Sequence, residues 1–261
     1  MKIITSVVNS TEFIQIQYHT LKKYFKGDYE FVVFNDAKDF PDLTNGGDLT
    51  VRSNIIGLCD YLDIECINVP NDHHEKMSMS NRHADTFNKC VLTWQKNNPD
   101  KYLLLDSDMF LIDYFDIDQF SRYMAAIVPQ ERGPIKYFWP GLCYMDFTQV
   151  SNQDMLNWNT CPGLDSGGMM KDWLSIQNPE KIYNIHHLPS CNWNQIDVPK
   201  PLSNNEHLID FLIKDPRNQN GKFYCELYHG VFLHYRGGSN WNNEGMNIHR
   251  KLMTALKNIL I

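Results

Sequence analysis

The sequence predicts an α/β fold: a single domain built on a mostly parallel central sheet with helices on both faces. Three observations lead there. Short β-rich runs alternate with amphipathic helical stretches through residues 2–105. The fourth such run, Tyr102 to Leu105, is apolar throughout, as in a strand buried on both faces. No Pro-, Gly- or Ser-rich linker and no internal repeat divides the chain. At 261 residues, such a domain buries roughly three quarters of its unfolded surface.

Lys2 to Val8 reads as the first strand, after which Phe13, Ile16, Leu21, Tyr24 and Phe25 recur at near-helical spacing. Asn9 with Glu12 three residues on suggests a capping box, and Lys26-Gly27-Asp28 a stop. Tyr29 to Phe34 is the second strand, ending at Asn35-Asp36. Beyond the polar loop holding Asn45-Gly46-Gly47, Val51, Ile55, Leu58 and Leu62 mark a second helix, and Ile64 to Val69 a third strand. Ser80 to Lys96 makes the third helix, with Phe87, Val91 and Trp94 inward and Asn97-Asn98-Pro99 as its stop. The second half is less regular. Strands are expected at Tyr123 to Val128, Leu142 to Phe147, Ile182 to Leu188 and Val231 to Tyr235, with helices near 152–158, 167–176, 206–213 and 245–260.

Composition narrows the function. Hydrophobic residues at 43% and charged residues at 21% are those of an ordinary globular chain. A net charge of −7 argues against a general nucleic-acid binder, which needs a basic field. No apolar run reaches the ~18 residues of a membrane span, and IITSVV is too short for a signal peptide. Seven cysteines are odd in number and never spaced as CxxC, so reduced thiols in a cytoplasmic compartment are expected. The sequon Asn9-Ser10-Thr11 falls at the mouth of the first strand, a poor place for a glycan, and is read as chance.

In open α/β sheets, ligands gather at the carboxyl ends of the strands, outside the topological switch point. YLLLDSDM puts Asp106 and Asp108 at such an end. Along an extended segment, period two sets the two carboxylates on one side and Ser107 on the other. A hard cation such as Mg²⁺ or Mn²⁺ takes one or two protein carboxylates and completes its shell with water and substrate phosphates. For the tripeptide alone, the structural alternative is a loop that uses aspartates as turn formers or caps. Neither GxGxxG nor GxxxxGK[ST] occurs upstream.

YLLLDSDM resembles the DxD segment of GT-A-fold glycosyltransferases, Rossmann-like enzymes that use a divalent metal to hold a nucleotide-sugar diphosphate. FLHYRGGSNW, Phe232 to Trp241, resembles the C-terminal His-x-x-Gly…Trp motif of the retaining members. The resemblance implies Mn²⁺ or Mg²⁺ held by Asp106, Asp108 and His234, with Gly237 and Gly238 giving close backbone approach to the diphosphate. It implies transfer of a sugar, with retention, from a UDP-sugar to a hydroxyl of a glycan or protein-linked acceptor. Ser239-Asn240 stands where the family carries Lys-Pro, with one residue fewer, so Arg236 is the replacement cation. The bland reading of His234 is a satisfied core histidine.

SNRHADTF opens the third helix, where the family often has a basic residue and an Asp that reach the nucleotide; Arg82 and Asp85 fill those positions, or form an exposed pair three residues apart. The segment Thr5 to Asn9 matches the seat of base and ribose, with Thr5 and Asn9 named as contacts, Asp36 matches that of the base, and Ser107 is counted with the nucleotide contacts. PGLCYMD resembles the Asn-x-Gly strand beneath the donor sugar, with Pro140 in place of Asn. Asp165, in LDSGGMM, is the candidate for sugar hydroxyls, or for the base if the enzyme inverts; the alternative is a helix N-cap. Trp193 and Trp241 are singled out as sugar-facing rings, the other tryptophans of the second half being assigned to the core. The opening MKIITSVVNSTEF resembles small glycosyltransferase-like proteins of large DNA viruses.

Other classes fit less well. A phosphatase of the DxD-nucleophile type needs Thr or Val two residues after the second Asp, where this chain has Phe110. A sugar nucleotidyltransferase needs a basic Gly-rich loop where this chain has VVNSTEF. A non-catalytic sugar- or nucleotide-binding protein with a degenerate site remains the alternative, because the Lys-Pro and the Asn are missing.

Overall fold

The computed structural model describes residues 1–42, 44–72, 78–188, 200–239 and 245–261. The strands are β1 (Lys2–Val7), β2 (Phe25–Lys26), β3 (Glu30–Asn35), β4 (Glu65–Asn68), β5 (Lys101–Asp106), β6 (Met109–Leu111), β7 (Phe115–Asp116), β8 (Ala125–Arg132), β9 (Ile135–Asp146), β10 (Ile182–Asn184), β11 (His187–Leu188), β12 (Glu226–Tyr228) and β13 (Phe232–His234). The helices are α1 (Thr11–Tyr24), α2 (Val51–Leu62), α3 (Met79–Thr86), α4 (Thr93–Asn97), α5 (Asp118–Ser121), α6 (Met170–Ser175), α7 (Lys200–Ser203), α8 (Glu206–Ile213) and α9 (Gly245–Leu260). A π-helical turn at Phe87–Leu92 joins α3 to α4, so the third helix of the sequence runs unbroken from Met79 to Asn97.

Seven strands form the central sheet in the order β10-β8-β9-β5-β1-β3-β4. β4, β3, β1 and β5 are mutually parallel, β9 runs antiparallel to both β5 and β8, and β10 pairs parallel with β8. Period two distributes the apolar residues between two cores. Ile3, Val33, Leu103 and Leu105 join one cluster; Ile4, Val32, Phe34, Tyr102 and Leu104 join the other, with Phe87, Val91, Trp158 and Trp173. Strands covered on both faces have no polar side to show, which is why they are apolar almost without break.

The chain leaves β1 toward β3 on one side and returns from β4 to β5 on the other. The sheet's switch point therefore lies between the carboxyl ends of β1 and β5. From there β6 enters a second, antiparallel sheet ordered β11-β12-β13-β6, packed with α8 and α9 over a third core that includes Phe13, Phe110, Leu208, Leu233 and Leu256. No helix among the described residues is long and apolar enough to cross a membrane.

Several local expectations need correction. The N-cap of α1 is Ser10 without a side-chain capping bond, and Asn9 donates instead to the Thr44 and Ser239 carbonyls. The helix expected at 152–158 is only a 3-10 turn, Gln153–Met155: Asn152 is left-handed, and the Trp158 N–H donates to Asn88 Oδ1 instead of to its own chain four residues back. β9 begins seven residues earlier than the predicted Leu142 start, at Ile135. Pro140 is tolerated because the β8–β9 register jumps there, pairing Ile127 with Cys143 but Val128 with Trp139. The run Ile182 to Leu188 is split between the two sheets as β10 and β11.

Candidate metal centre and binding cleft

β5 delivers Asp106 to the sheet's carboxyl edge, a tight turn carries Ser107 and Asp108, and β6 leaves antiparallel to β13 with Met109 opposite His234. That register is what brings position 234 to position 108. The Tyr235 N–H donates to the Asp108 carbonyl at 2.8 Å, and the Gly238 N–H to Asp108 Oδ2 at 2.8 Å. From α1, the buried Gln17 amide donates to the Asp106 carbonyl at 2.8 Å and the Met109 carbonyl at 3.1 Å, clamping both ends of the turn. A Cβ on Gly238 would stand 2.5 Å from Phe13 Cζ and 3.0 Å from Asp108 Oδ2, so only glycine permits this approach.

One ligand atom from each of Asp106, Asp108 and His234 lies within 4.8 Å of the others. His234 Nε2 is 3.3 Å from Asp108 Oδ1, close to the roughly 3 Å between neighbouring ligands of an octahedral cation with bonds of about 2.1 Å. Burial and the Asp108 charge raise the Asp106 pKa. Burial opposes ionisation of Asp108 too, but His234 and the Gly238 N–H outweigh it and hold its pKa down. Burial likewise opposes charge on His234, yet the Asp108 and Glu226 carboxylates raise its pKa to about 9. A buried carboxylate, a half-buried one and a buried imidazole, with one ligand atom of each within 4.8 Å of the others, form a cation-seeking cluster, and this donor set fits Mn²⁺ or Mg²⁺.

A cleft of about 240 Å³ opens over the cluster, with Ser6, Asp36, Arg82, His83, Trp139 and Asp165 among its walls. Gly237 and Ser107 line it as well, so Ser107 is not turned away as strand periodicity suggested: the chain turns at that residue, and its Oγ lies 3.4 Å from Ser239 Oγ. Asp165 is on the wall, with Oδ1 accepting the Ser166 N–H at 2.8 Å. Gly167, at φ 85°, lets this loop bond to the Trp158 carbonyl under β9.

Other expected contacts lie elsewhere. Thr5 is wholly buried in β1, and within the segment Thr5 to Asn9 it is Ser6 and Val8 that line the cleft. Asn9 stitches two loops together beside the cleft. Asp85 is half-buried and pairs with Lys89 at 2.9 Å, while Arg82 turns to Asp36 and Asp42. Arg236 adopts a left-handed φ of 50° and lines a second chamber of about 300 Å³, which shares Trp139, Asp165 and His234 with the first; its guanidinium is 3.4 Å from Glu226. It therefore stands away from the cleft expected to take a diphosphate. Trp193 and Trp241 lie outside the described residues, and Trp139, assigned to the core, lines both chambers 5.0 Å from the His234 ring.

Arg82 and Asp36 sit on the cleft wall but are largely committed to each other. Arg82 Nε meets Asp36 Oδ2 at 3.3 Å and Nη1 meets Asp42 Oδ1 at 2.6 Å, while Lys38 Nζ takes Asp36 Oδ1 at 3.0 Å. Burial works against ionisation of Asp42, but the Thr44 and Arg82 donors hold its carboxyl pKa below the ordinary 3.8. A depressed folded-state pKa stabilises the fold above the unfolded value, and that stability is lost as pH falls through the folded value. Asp42→Asn should therefore cost about 1–3 kcal/mol near pH 7. In urea unfolding series, the difference from the parent should shrink below about pH 3.8; a pH-independent difference would count against the ionised pairing.

Sequence reading missed two groups beside the cluster. His83 lies 3.4 Å from Ser166 Oγ and 4.0 Å from Asp106 Oδ1. Glu226 faces His234 across β12 and β13. The alternation of CELYHG, placing Glu226 and Tyr228 on one face, was the available signal for the second. The chain matches no protein-family model and no curated protein.

Proposed function

We propose that the protein is a metal-dependent glycosyltransferase of the GT-A type, moving a sugar from a nucleotide diphosphate sugar, a UDP-sugar for preference, to an acceptor hydroxyl with retention. The observation that carries this reading is the convergence of Asp106, Asp108 and His234 at the carboxyl edge of a mostly parallel sheet, beside its switch point. Of the two candidate cations, Mn²⁺ suits the imidazole better than Mg²⁺, which prefers an all-oxygen shell. When bound, the metal would neutralise charge gathering on the diphosphate leaving group.

The chain's own residues supply orientation. Asp106 and Asp108 would hold the cation, with Gln17 and Gly238 fixing the turn that bears them. Asp165, lining both chambers, is suited to accept hydrogen bonds from sugar hydroxyls. His83 on the cleft wall is suited to donate to an anionic oxygen where the family's Lys is missing. The second chamber would seat the glycan or protein-linked acceptor.

A screen of nucleotide sugars by thermal shift, with and without Mn²⁺, tests the reading. One donor should raise the melting temperature only with the metal, by the equivalent of about 2.7 kcal/mol at a hundredfold excess over Kd, and should be hydrolysed slowly. No Mn²⁺-dependent shift with any donor would sink it. The withdrawal of Arg236 from the cleft favours one second reading, a non-catalytic nucleotide-sugar-binding protein. Metal-dependent shifts without hydrolysis or transfer would select that reading.

A further inference from the structure

Glu226 of β12 pairs in register with His234 of β13, and the antiparallel ladder projects both side chains to one face. Four groups surround its carboxylate. Oε2 lies 3.5 Å from His234 Nδ1 and accepts the Tyr228 hydroxyl at 2.9 Å; Oε1 lies 3.6 Å from His187 Nε2 and 3.4 Å from Arg236 Nη1. The side chain is only 12% exposed. A carboxylate so far from water is costly unless paired, and removing its partners is more costly still.

His234 thus stands between two acids. Its Nε2 faces Asp108, and through Asp108 the three-ligand cluster, while Nδ1 faces Glu226. A neutral imidazole has one N–H and one lone pair, and a cation can take only the lone pair. Nδ1 is buried and makes no hydrogen bond among the described residues, and the Glu226 carboxylate stands 3.5 Å from it. The rings of Trp139 at 5.0 Å and Tyr228 at 5.9 Å hold the imidazole plane between the two carboxylates.

We propose that Glu226 is a positioning residue for the metal centre: it accepts the Nδ1–H of His234 and so fixes the tautomer that aims the Nε2 lone pair at the cation. The inference rests on the metal reading above. It also accounts for Arg236, whose guanidinium balances the spare oxygen of Glu226 instead of reaching into the cleft. Outer-sphere carboxylates of this kind orient a ligating histidine and raise its basicity.

The test uses the full chain and Glu226→Gln, with Mn²⁺ binding measured by calorimetry and the imidazole nitrogens of His234 read by ¹⁵N NMR in the diamagnetic Mg²⁺ form. The parent should bind one Mn²⁺ and show the proton on Nδ1. The variant should bind about 10- to 100-fold more weakly and lose that single pattern. Glu226→Asp, which keeps the charge opposite Arg236 and His187, serves if the amide fails to fold, and should show a smaller loss in the same direction. Equal affinity and an unchanged tautomer in a folded variant would overturn the inference while leaving the metal reading intact. Failure of the parent itself to bind Mn²⁺ would overturn both.

Discussion

Asp108→Asn is expected to abolish Mn²⁺-dependent cleavage of a nucleotide sugar and to weaken Mn²⁺ binding by more than about 100-fold, because a first-sphere charge outweighs the outer contacts that are worth about 10- to 100-fold. The amide keeps the size of the carboxylate, and its oxygen can still accept the Gly238 N–H now held at 2.8 Å. The geometry of the turn therefore survives while one candidate anionic ligand disappears. Stability without metal should move by no more than about 1 kcal/mol. The lost attraction to His234 is offset by relief of the repulsion that Asp108 exerts on Asp106. Calorimetric titration with Mn²⁺, thermal melting of the metal-free protein and a hydrolysis assay give the three readouts. Hydrolysis at the parent rate would remove Asp108 from the metal centre, and a collapse in metal-free stability would recast it as a structural acid.

The parts of the fold legible in the sequence are those set by local periodicity. Helices α2, α8 and α9 and the parallel strands follow from apolar spacing, since each buries one stripe or two whole faces. The pairing of Asp108 with His234 was reached through motif resemblance. Its physical cause, the β6–β13 register, is a long-range fact that spacing cannot contain. The same limit hid Glu226, which matters only because β12 lies beside β13. Arg236 lies in the second chamber for a local reason. Its left-handed backbone sends the side chain to Glu226 and Tyr224, and such a φ in a non-glycine residue is uncommon enough that no sequence rule assigns it. Pro140 lies inside β9, where the bulge makes the missing donor harmless.

Arg82→Met is expected to be the most destabilising single change in the cleft, costing about 3–5 kcal/mol, or on the order of 10 °C in melting temperature for a chain of this size. Arg82 is 2% exposed, so its charge exists in the interior only because of what it meets. Nε and Nη2 engage Asp36 Oδ2 and the Asp36 carbonyl at 3.3 and 2.8 Å, while Nη1 meets Asp42 Oδ1 at 2.6 Å and Thr44 Oγ1 at 3.3 Å. Methionine fills the volume but leaves two buried carboxylates short of a partner. Asp36 retains Lys38 and Thr86, both at 3.0 Å, and Asp42 retains Thr44. The greater part of the cost therefore falls on Asp42. It should diminish in acid, because protonating Asp42 removes the uncompensated charge. Arg82→Lys keeps the charge but can reach only one of the two acids, and should cost less. Urea unfolding of both variants at neutral and acid pH measures this. Mn²⁺ affinity serves as the control, since the guanidinium's bonds go to Asp36, Asp42 and Thr44 and its loss should leave that affinity within a few-fold of the parent. A loss below about 1 kcal/mol for Arg82→Met would mean that water reaches the pair, leaving the guanidinium free to meet a nucleotide.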